Sequence, residues 1–277
     1  MRMWTMLLAA VVALTGVAAD EIDWVDGFEA ALEAAQASNK PVMVVFSSGG
    51  GCGWCTIMAT ETLADERVVA AAASFLAVTV NGLERDDLAT RYMVAGYPTV
   101  VFVSPDGVVL TEVSGYIPAE PFVGAMEDAL EAWEALQLAR ALVAELGDAE
   151  GTPAQRLAIA REYATASSHR QAANWAAKAL AAEDAEVRSE ALLILGKALV
   201  DLDEPAEAVD PLSRFVASCP DHPGIWDAKL HLGYAYLMTD RAEEARPLLE
   251  DVVANAPEDS REHTVALRLL AWLDAQG

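Results

Sequence analysis

The sequence predicts two domains of different class: an α/β domain with a central mixed sheet over residues 20–146, and an all-α domain of helical repeats over residues 147–277. In the first region, short apolar runs typical of buried strands alternate with amphipathic segments typical of helices. After residue 146 the strand patterns end, alanine and leucine become frequent, and a sequence repeat appears. Alternating strands and helices favour a sheet covered by helices, whereas repeated helix pairs stack on one another.

The elements of the first domain are expected in the order α-β-α-β-α-β-β-α. Residues 42–46 are apolar throughout, which predicts a strand buried on both faces. Residues 104–107, Ser-Pro-Asp-Gly, predict a tight turn between two strands. The other expected elements are helices at 27–38, at 52–73 with an interruption near 63–65, at 83–93 and at 118–146, and strands at 75–80, 99–103 and 108–113.

Cys52 and Cys55 frame Gly53 and Trp54 in a Cys-x-x-Cys motif, which follows the first strand and the flexible residues 47–51. Two thiols three positions apart close a small disulfide with almost no change of the backbone. At the start of a helix, the first thiol is also favoured as a thiolate, because unpaired N–H groups point towards it. A strand, a tight loop, this motif and a helix form the layout of a thiol–disulfide redox centre.

Three segments of the first domain resemble the thioredoxin superfamily, in particular its exported bacterial thioredoxin-like branch. The first runs from residue 40 through strand 42–46 into the Cys-x-x-Cys motif. The second is residues 61–68, similar to the segment after the family's redox helix, and the third is residues 92–102, similar to the stretch that holds its cis-proline. The resemblance covers about 120 residues and implies a protein-disulfide oxidoreductase with a Cys52–Cys55 redox-active disulfide.

The resemblance assigns a role to each residue of the site. Cys52, nearer the exposed end of the helix, attacks a substrate disulfide, and Cys55 resolves the mixed disulfide. Gly53 and Trp54 tune the stability of the internal disulfide. Pro98, if its peptide bond is cis, presents the backbone of Tyr97 to the substrate; the alternative is that Pro98 only forms a turn at the start of a strand.

One position departs from the family. Many thioredoxins place a buried acid on the strand before the motif, where it moves a proton to or from the second cysteine. When Phe46 is matched to the family's aromatic residue at the end of that strand, the position of the acid falls on Val45. Proton transfer then relies on water or on another acid such as Glu61, for which a plain surface position is the other interpretation.

The N-terminus predicts export. Residues 1–19 hold one charge, Arg2, an apolar core over 7–14 and small residues at 17–19, which is typical of a signal peptide cleaved after Ala19; an uncleaved anchor is the alternative. We therefore expect a periplasmic or secreted protein with no stable membrane insertion. The net charge of −25 is spread over both domains and disfavours nucleic acids and anionic membranes as partners.

No pattern predicts a cofactor or a metal. Thr56 stands where haem attachment needs histidine, and no Gly-Lys-Ser/Thr follows the glycine run. A zinc site needs two more ligands, and the remaining candidates form no ligand pattern: Cys219, His169, His222, His231 and His263. For Cys219 we expect a small buried position at a helix end; a bridge to Cys52 or to another molecule is the alternative.

The second domain resembles tetratricopeptide repeats. Residues 195–199 recur at 232–236, an offset of 37, and a fainter copy begins near residue 159. Small residues at matching positions permit close helix packing: Gly196, Ala208, Gly233 and Ala245. A final helix at 263–275 is expected to cap the stack.

Such stacks usually bind a peptide or protein ligand on their concave surface; packing on the redox domain or dimerisation is the other interpretation. Together these patterns predict an exported oxidoreductase that acts on protein thiols and disulfides and exchanges electrons with an upstream donor or acceptor. The alternative is a binding protein or assembly factor that uses the thioredoxin fold as a scaffold.

Overall fold

The computed structural model describes residues 21–147 and 149–276, so the expected signal peptide lies outside the described residues. Contacts between Cα atoms divide the chain into two compact units. The first extends to Gly107 and includes Glu112–Met126, and the second takes in Val108–Thr111 and the chain from Glu127 onwards. The division therefore falls inside a helix, and a domain boundary after residue 146 stays a prediction.

The predicted fold class is confirmed: a mixed sheet with flanking helices is followed by helices alone. The sheet has four strands in the order β2-β1-β3-β4. Its strands are β1 (Val42–Ser47), β2 (Leu76–Asn81), β3 (Thr99–Val103) and β4 (Val109–Ser114). The helices of this region are α1 (Phe28–Ser38), α2 (Gly53–Ile57), α3 (Glu66–Ala72), α4 (Asp86–Arg91) and α5 (Ala119–Leu146).

Strand β1 lies at the centre of the first unit. It runs parallel to β2 and antiparallel to β3, so that Val44 is paired with Val78 on one side and with Val101 on the other. All of residues 42–46 are buried, as their unbroken apolar pattern predicts. The centre of the sheet therefore supports the loop after β1, which carries the two cysteines.

The helix that follows the motif is interrupted where the sequence predicts it. After α2 comes a π-helical turn, Met58–Thr62, and α3 begins after Asp65. The Asp65 carboxylate caps α3 by accepting a bond from the backbone N–H of Arg67. Its bonds from the Arg67 side chain and backbone lower the pKa of Asp65 to about 2.

Helix α4 is shorter than the predicted helix at 83–93. The side-chain oxygen of Asn81 accepts a hydrogen bond from the N–H of Leu83. The backbone carbonyl of Asn81 accepts hydrogen bonds from the N–H groups of Glu84 and Arg85, so these residues form a turn. At the other end, Met93 has a φ of 53°, which is incompatible with a continuing helix. The predicted helix is therefore three residues too long at its start and two residues too long at its end.

The second unit contains the helices of the repeats. They are α6 (Pro153–Thr165), α7 (His169–Ala179), α8 (Ala185–Asp201), α9 (Pro205–Ser218), α10 (Ile225–Leu237), α11 (Ala242–Asn255) and α12 (Arg261–Gln276). Helices α8 with α9 and α10 with α11 form the two clear sequence copies. The faint first copy corresponds to the pair α6 and α7, and α12 is the expected last helix.

Glycines allow the two helices of each clear copy to approach closely. A Cβ atom on Gly196 of α8 would lie 2.4 Å from Cγ of Leu212 in α9. One repeat later, a Cβ on Gly233 of α10 would lie 2.8 Å from Cδ2 of Leu249 in α11. Leu212 and Leu249 are fully buried, so each glycine leaves the room that a core leucine fills.

A partly buried carboxylate links the two clear copies. Asp227 of α10 is 20 % exposed; Lys197 of α8 donates a bond to its Oδ2, and His231 Nδ1 lies 2.9 Å from its Oδ1. Burial raises the pKa of Asp227, but the bonds and charges of His231 and Lys197 outweigh burial and hold it well below the ordinary value of 3.8.

This arrangement predicts a pH-dependent loss of stability in Asp227→Asn. Because the folded-state pKa lies below that of the unfolded chain, the carboxylate's contribution is complete above the unfolded value and is lost as the pH falls through the folded value. We expect the variant to lose about 1–3 kcal/mol in urea unfolding at neutral pH. The difference in the free energy of unfolding between the variant and the wild type should become progressively smaller below pH 3.8.

Asp210→Asn is the matched control, since Asp210 is 76 % exposed and pairs only with Arg214 at 3.3 Å across one turn of α9. Its effect should stay within about 0.5 kcal/mol at every pH. Equal losses in the two variants would contradict a special contribution of Asp227.

Candidate functional site

The Cys-x-x-Cys motif lies at the start of α2, directly after the central strand. Cys52 is the residue before the first helical turn, with an extended backbone, and it forms a disulfide with Cys55. Both cysteines are half-buried, whereas Gly53 and Trp54 between them are exposed. The disulfide is therefore only partly covered by protein within this unit.

Backbone groups of α2 surround the Cys52 sulfur. The N–H of Cys55 points at Cys52 Sγ, with a distance of 3.1 Å between nitrogen and sulfur. The first N–H groups of a helix have no partner within the helix, and they favour negative charge at this end. The arrangement therefore favours a thiolate on Cys52 once the disulfide is reduced.

Tyr97 and Pro98 lie beside Cys52. The peptide bond between them is cis, and the Tyr97 carbonyl oxygen is 3.9 Å from Cys52 Sγ. The Tyr97 ring packs over Gly82, where a Cβ would lie 2.4 Å from the tyrosine oxygen. The structure thus brings the two residues expected to contact substrate together with the expected attacking cysteine.

Tyr116 belongs to the same surface, although no sequence motif singles it out. Its ring stacks on Trp54 with 5.6 Å between centroids and 26° between planes. Its hydroxyl donates to Glu61 Oε2 at 3.0 Å. Tyr116 follows Gly115 after β4, 62 positions from Trp54, and the only hint in the sequence is an aromatic residue in a loop.

Glu61 does not occupy the position of a buried acid. It is exposed and accepts the Tyr116 hydroxyl, which agrees with the surface interpretation of this residue. The bond to Glu61, together with burial, raises the pKa of Tyr116.

Val45 and Cys55 line one cavity of about 700 Å³. Val45 is 6 % exposed, and its neighbour on β2 is Thr79, which also lines the cavity together with Pro98. The one carboxylate among the described lining residues is Glu21, at an exposed position. Val45 therefore faces the same cavity as the second cysteine, and its side chain is apolar.

The described residues contain no group of three or more His, Cys, Asp or Glu side chains arranged to hold a metal ion. Cys219 has a free thiol, and it is half-buried at the end of α9 rather than buried as expected. Its side chain packs against the edge of the buried cluster formed by α8, α9 and α10 and is only partly covered by it. No helix within the described ranges is long and apolar enough to cross a membrane.

Comparison with known families separates the two regions of the chain. Residues 28–130 match the thioredoxin-like domain, and residues 190–222 and 227–259 match the tetratricopeptide repeat. The start points of the two repeats reproduce the offset of 37 found in the sequence. No curated protein has a significant match to the chain.

Several solved structures are similar to parts of the chain. A thioredoxin from Thermus thermophilus is 30 % identical and covers 42 % of this chain and 93 % of its own, with a TM-score of 0.39. The C-terminal domain of Neisseria meningitidis DsbD in the oxidised form is 28 % identical, over 36 % and 91 %, with a TM-score of 0.32. A putative kinesin light chain of Podosopora anserina with nearly identical TPR-like repeats is 21 % identical, over 52 % and 74 %, with a TM-score of 0.37.

The family match and the site geometry point the same way. A thioredoxin-like domain with a Cys52–Cys55 pair supports thiol–disulfide oxidoreductase chemistry at the level of the family. The repeats in turn suggest interaction with other proteins. Residues 28–130 therefore belong to the thioredoxin-like domain family, and residues 190–222 and 227–259 are tetratricopeptide repeats.

Proposed function

We propose that the protein is an exported thiol–disulfide oxidoreductase that acts on protein substrates. The observation that carries the proposal is the Cys52–Cys55 disulfide at the start of α2, beside Tyr97 and Pro98, in a thioredoxin-like domain. The helical repeats then bind a peptide or protein partner. The source of electrons is a dithiol protein when the pair works as a reductant, and the acceptor is a disulfide when it works as an oxidant.

The reaction of the reduced pair proceeds in two exchanges. The Cys52 thiolate attacks one sulfur of a substrate disulfide, the S–S bond breaks, and the departing substrate sulfur takes a proton. Cys55 then loses its proton and attacks Cys52 Sγ, which releases the second substrate thiol. The substrate disulfide is reduced by two electrons and the Cys52–Cys55 disulfide is formed.

Neighbouring groups support each exchange. The Cys55 N–H, whose nitrogen lies 3.1 Å from Cys52 Sγ, stabilises negative charge on Cys52 before the attack. In the reverse, oxidising direction it stabilises the same charge when a second substrate thiolate displaces Cys52 from the mixed disulfide. The Tyr97 backbone, 3.9 Å from the same sulfur, offers an extended substrate segment a main-chain contact. The cavity beside Cys55 admits solvent, which takes the Cys55 proton where Val45 supplies no acid.

Export is proposed from the N-terminal sequence. Residues 1–19 have the charge, apolar core and small residues of a cleavable leader, and cleavage after Ala19 would leave Asp20 as the first residue. The compartment is then periplasmic or extracellular, where the disulfide pair persists. Sequencing the N-terminus of the protein recovered from the envelope tests the cleavage, and an intact Met1 would indicate the uncleaved anchor instead. Recovery of the protein from the cytoplasm alone would overturn export.

The decisive experiment compares the wild type with Cys52→Ser in the reduction of a protein disulfide by dithiothreitol. We expect the variant to fall to the rate of the reaction without protein, because a serine hydroxyl is not a nucleophile at neutral pH. Cys219→Ser, which removes the free thiol in the repeats, should react at the wild-type rate. Equal, negligible rates for the wild type and Cys52→Ser would favour the scaffold function instead.

A further inference from the structure

An aromatic pair borders the redox motif on the side of the Tyr97–Pro98 bond. Trp54 is 59 % exposed although it stacks on Tyr116, so one indole edge and face remain open. Trp54, Tyr97, Pro98, Gly115 and Tyr116 together line a groove of about 250 Å³. Three of the five lining residues carry aromatic rings, and one of them is Tyr97, whose carbonyl oxygen lies 3.9 Å from Cys52 Sγ.

The far wall of this groove is held in place by hydrogen bonds. Tyr116 donates its hydroxyl to Glu61, and the buried Thr62 hydroxyl donates to the carbonyl of Ile117 at 2.6 Å. The N–H of Gly115 donates to the carbonyl of Pro98 at 2.8 Å. The loop that carries Tyr116 is thus bonded both to the π-helical turn and to the proline, so the ring keeps its place without substrate.

The floor of the groove stays open because of Gly115. Its φ is +83°, a conformation that glycine adopts without strain, and no side chain projects from it between Tyr97 and Tyr116. The aromatic side chains that line the groove are those of Trp54, Tyr97 and Tyr116. Offset-stacked and edge-to-face contacts are the arrangements that aromatic pairs prefer.

We propose that Trp54 and Tyr116 form an aromatic clamp, positioned by Glu61, that selects disulfide substrates with an aromatic residue next to the reacting cysteine. The inference rests on the proposed function, because Cys52 must attack a cysteine of the segment that fills the groove. Glu61 acts indirectly: its bond to the Tyr116 hydroxyl orients the ring, and neither group contacts the reacting sulfur atoms.

The test uses the reduced full-length protein and synthetic peptide disulfides that differ only at the residue beside the cysteine, which is Trp, Phe, Leu or Ala. We expect the wild type to prefer the aromatic peptides to the Ala peptide by about 3- to 10-fold in kcat/KM. The difference should appear mainly in KM, since the ring contributes to binding. The Leu peptide separates aromatic stacking from general apolar burial. Its kcat/KM should lie between those of the aromatic peptides and the Ala peptide.

Variants assign the preference to the clamp. Tyr116→Leu should lower the aromatic-to-Ala ratio towards 1, because it removes one ring of the pair and retains an apolar side chain. Tyr116→Phe retains the ring and should keep most of the ratio, whereas Glu61→Gln should lower it in part. Glu112→Gln is the matched control, since Glu112 is an exposed acid on β4 that binds Ser114 and not Tyr116.

Each result decides the matter. A wild type that reduces all four peptides equally would overturn the clamp and leave the proposed function intact, and this comparison needs no variant to fold. An unchanged ratio in folded Tyr116→Leu would also overturn it. Failure of the wild type to reduce any peptide would overturn the proposed function, and the clamp with it.

Discussion

Cys55→Ser should convert the protein from a catalyst into a trap for its substrates. Cys52 remains able to attack a disulfide, but no second thiol is present three positions away to break the mixed disulfide. We expect turnover to be lost and a covalent adduct to accumulate, up to one substrate per protein. Non-reducing electrophoresis followed by mass spectrometry measures the adduct, and dithiothreitol should release it.

The adduct must depend on Cys52. The double variant with Cys52→Ser and Cys55→Ser is the control, and it should form none. A Cys219→Ser background removes the half-buried thiol at the end of α9 as a source of adventitious bridges. Equal adduct formation by the single and the double variant would show that Cys52 is not the attacking residue. Trapping in cell extracts would then be uninformative about the natural substrates.

Gly196→Ala should destabilise the repeats, although alanine is the better helix former. The new Cβ would lie 2.4 Å from Cγ of Leu212, which is fully buried and has no space into which to move. Overpacking of this kind costs about 1–3 kcal/mol, whereas helix propensity returns at most about 1 kcal/mol. We expect a net loss of up to about 2 kcal/mol in the free energy of unfolding, measured by urea denaturation.

Gly124→Ala provides the control of opposite sign. Gly124 lies inside helix α5, and a Cβ there would meet no atom within 4 Å. Removing a helical glycine without a clash should stabilise the protein by about 0.5–1 kcal/mol. Gly233→Ala, where the nearest atom is Cδ2 of Leu249 at 2.8 Å, should be milder than Gly196→Ala. If all three variants stabilised the protein, the glycines of α8 and α10 would not be required by close packing.

Local patterns in the sequence predicted most of the elements correctly. Strand β1 follows from five consecutive apolar residues, and β3 matches the predicted strand 99–103 at both ends. The break near residues 63–65 also follows from local chemistry, since Asp65 is a good helix cap. The predicted helix 83–93 was too long, because the side chain and the backbone carbonyl of Asn81 bind the N–H groups of residues 83–85 in a turn.

The repeat was visible because each copy meets the same packing requirement. Gly196 and Gly233 recur at the offset of 37 since each faces a buried leucine of the next helix. A repeated contact produces a repeated sequence. The cluster around Asp227, in contrast, had no such signature. His231 lies one turn away on the same helix, but Lys197 comes from α8.

The sequence by itself determined the Cys-x-x-Cys motif, the strand that precedes it, the alternation of strands and helices, and the helical repeat, because each depends on residues close together in the chain. The tertiary structure alone decided that Tyr116 stacks on Trp54 and binds Glu61, and that Val45 shares a cavity with Cys55. These contacts join residues that sheet pairing and packing bring together from distant segments. No local pattern of hydrophobicity or turn chemistry encodes contacts between residues so far apart in the chain.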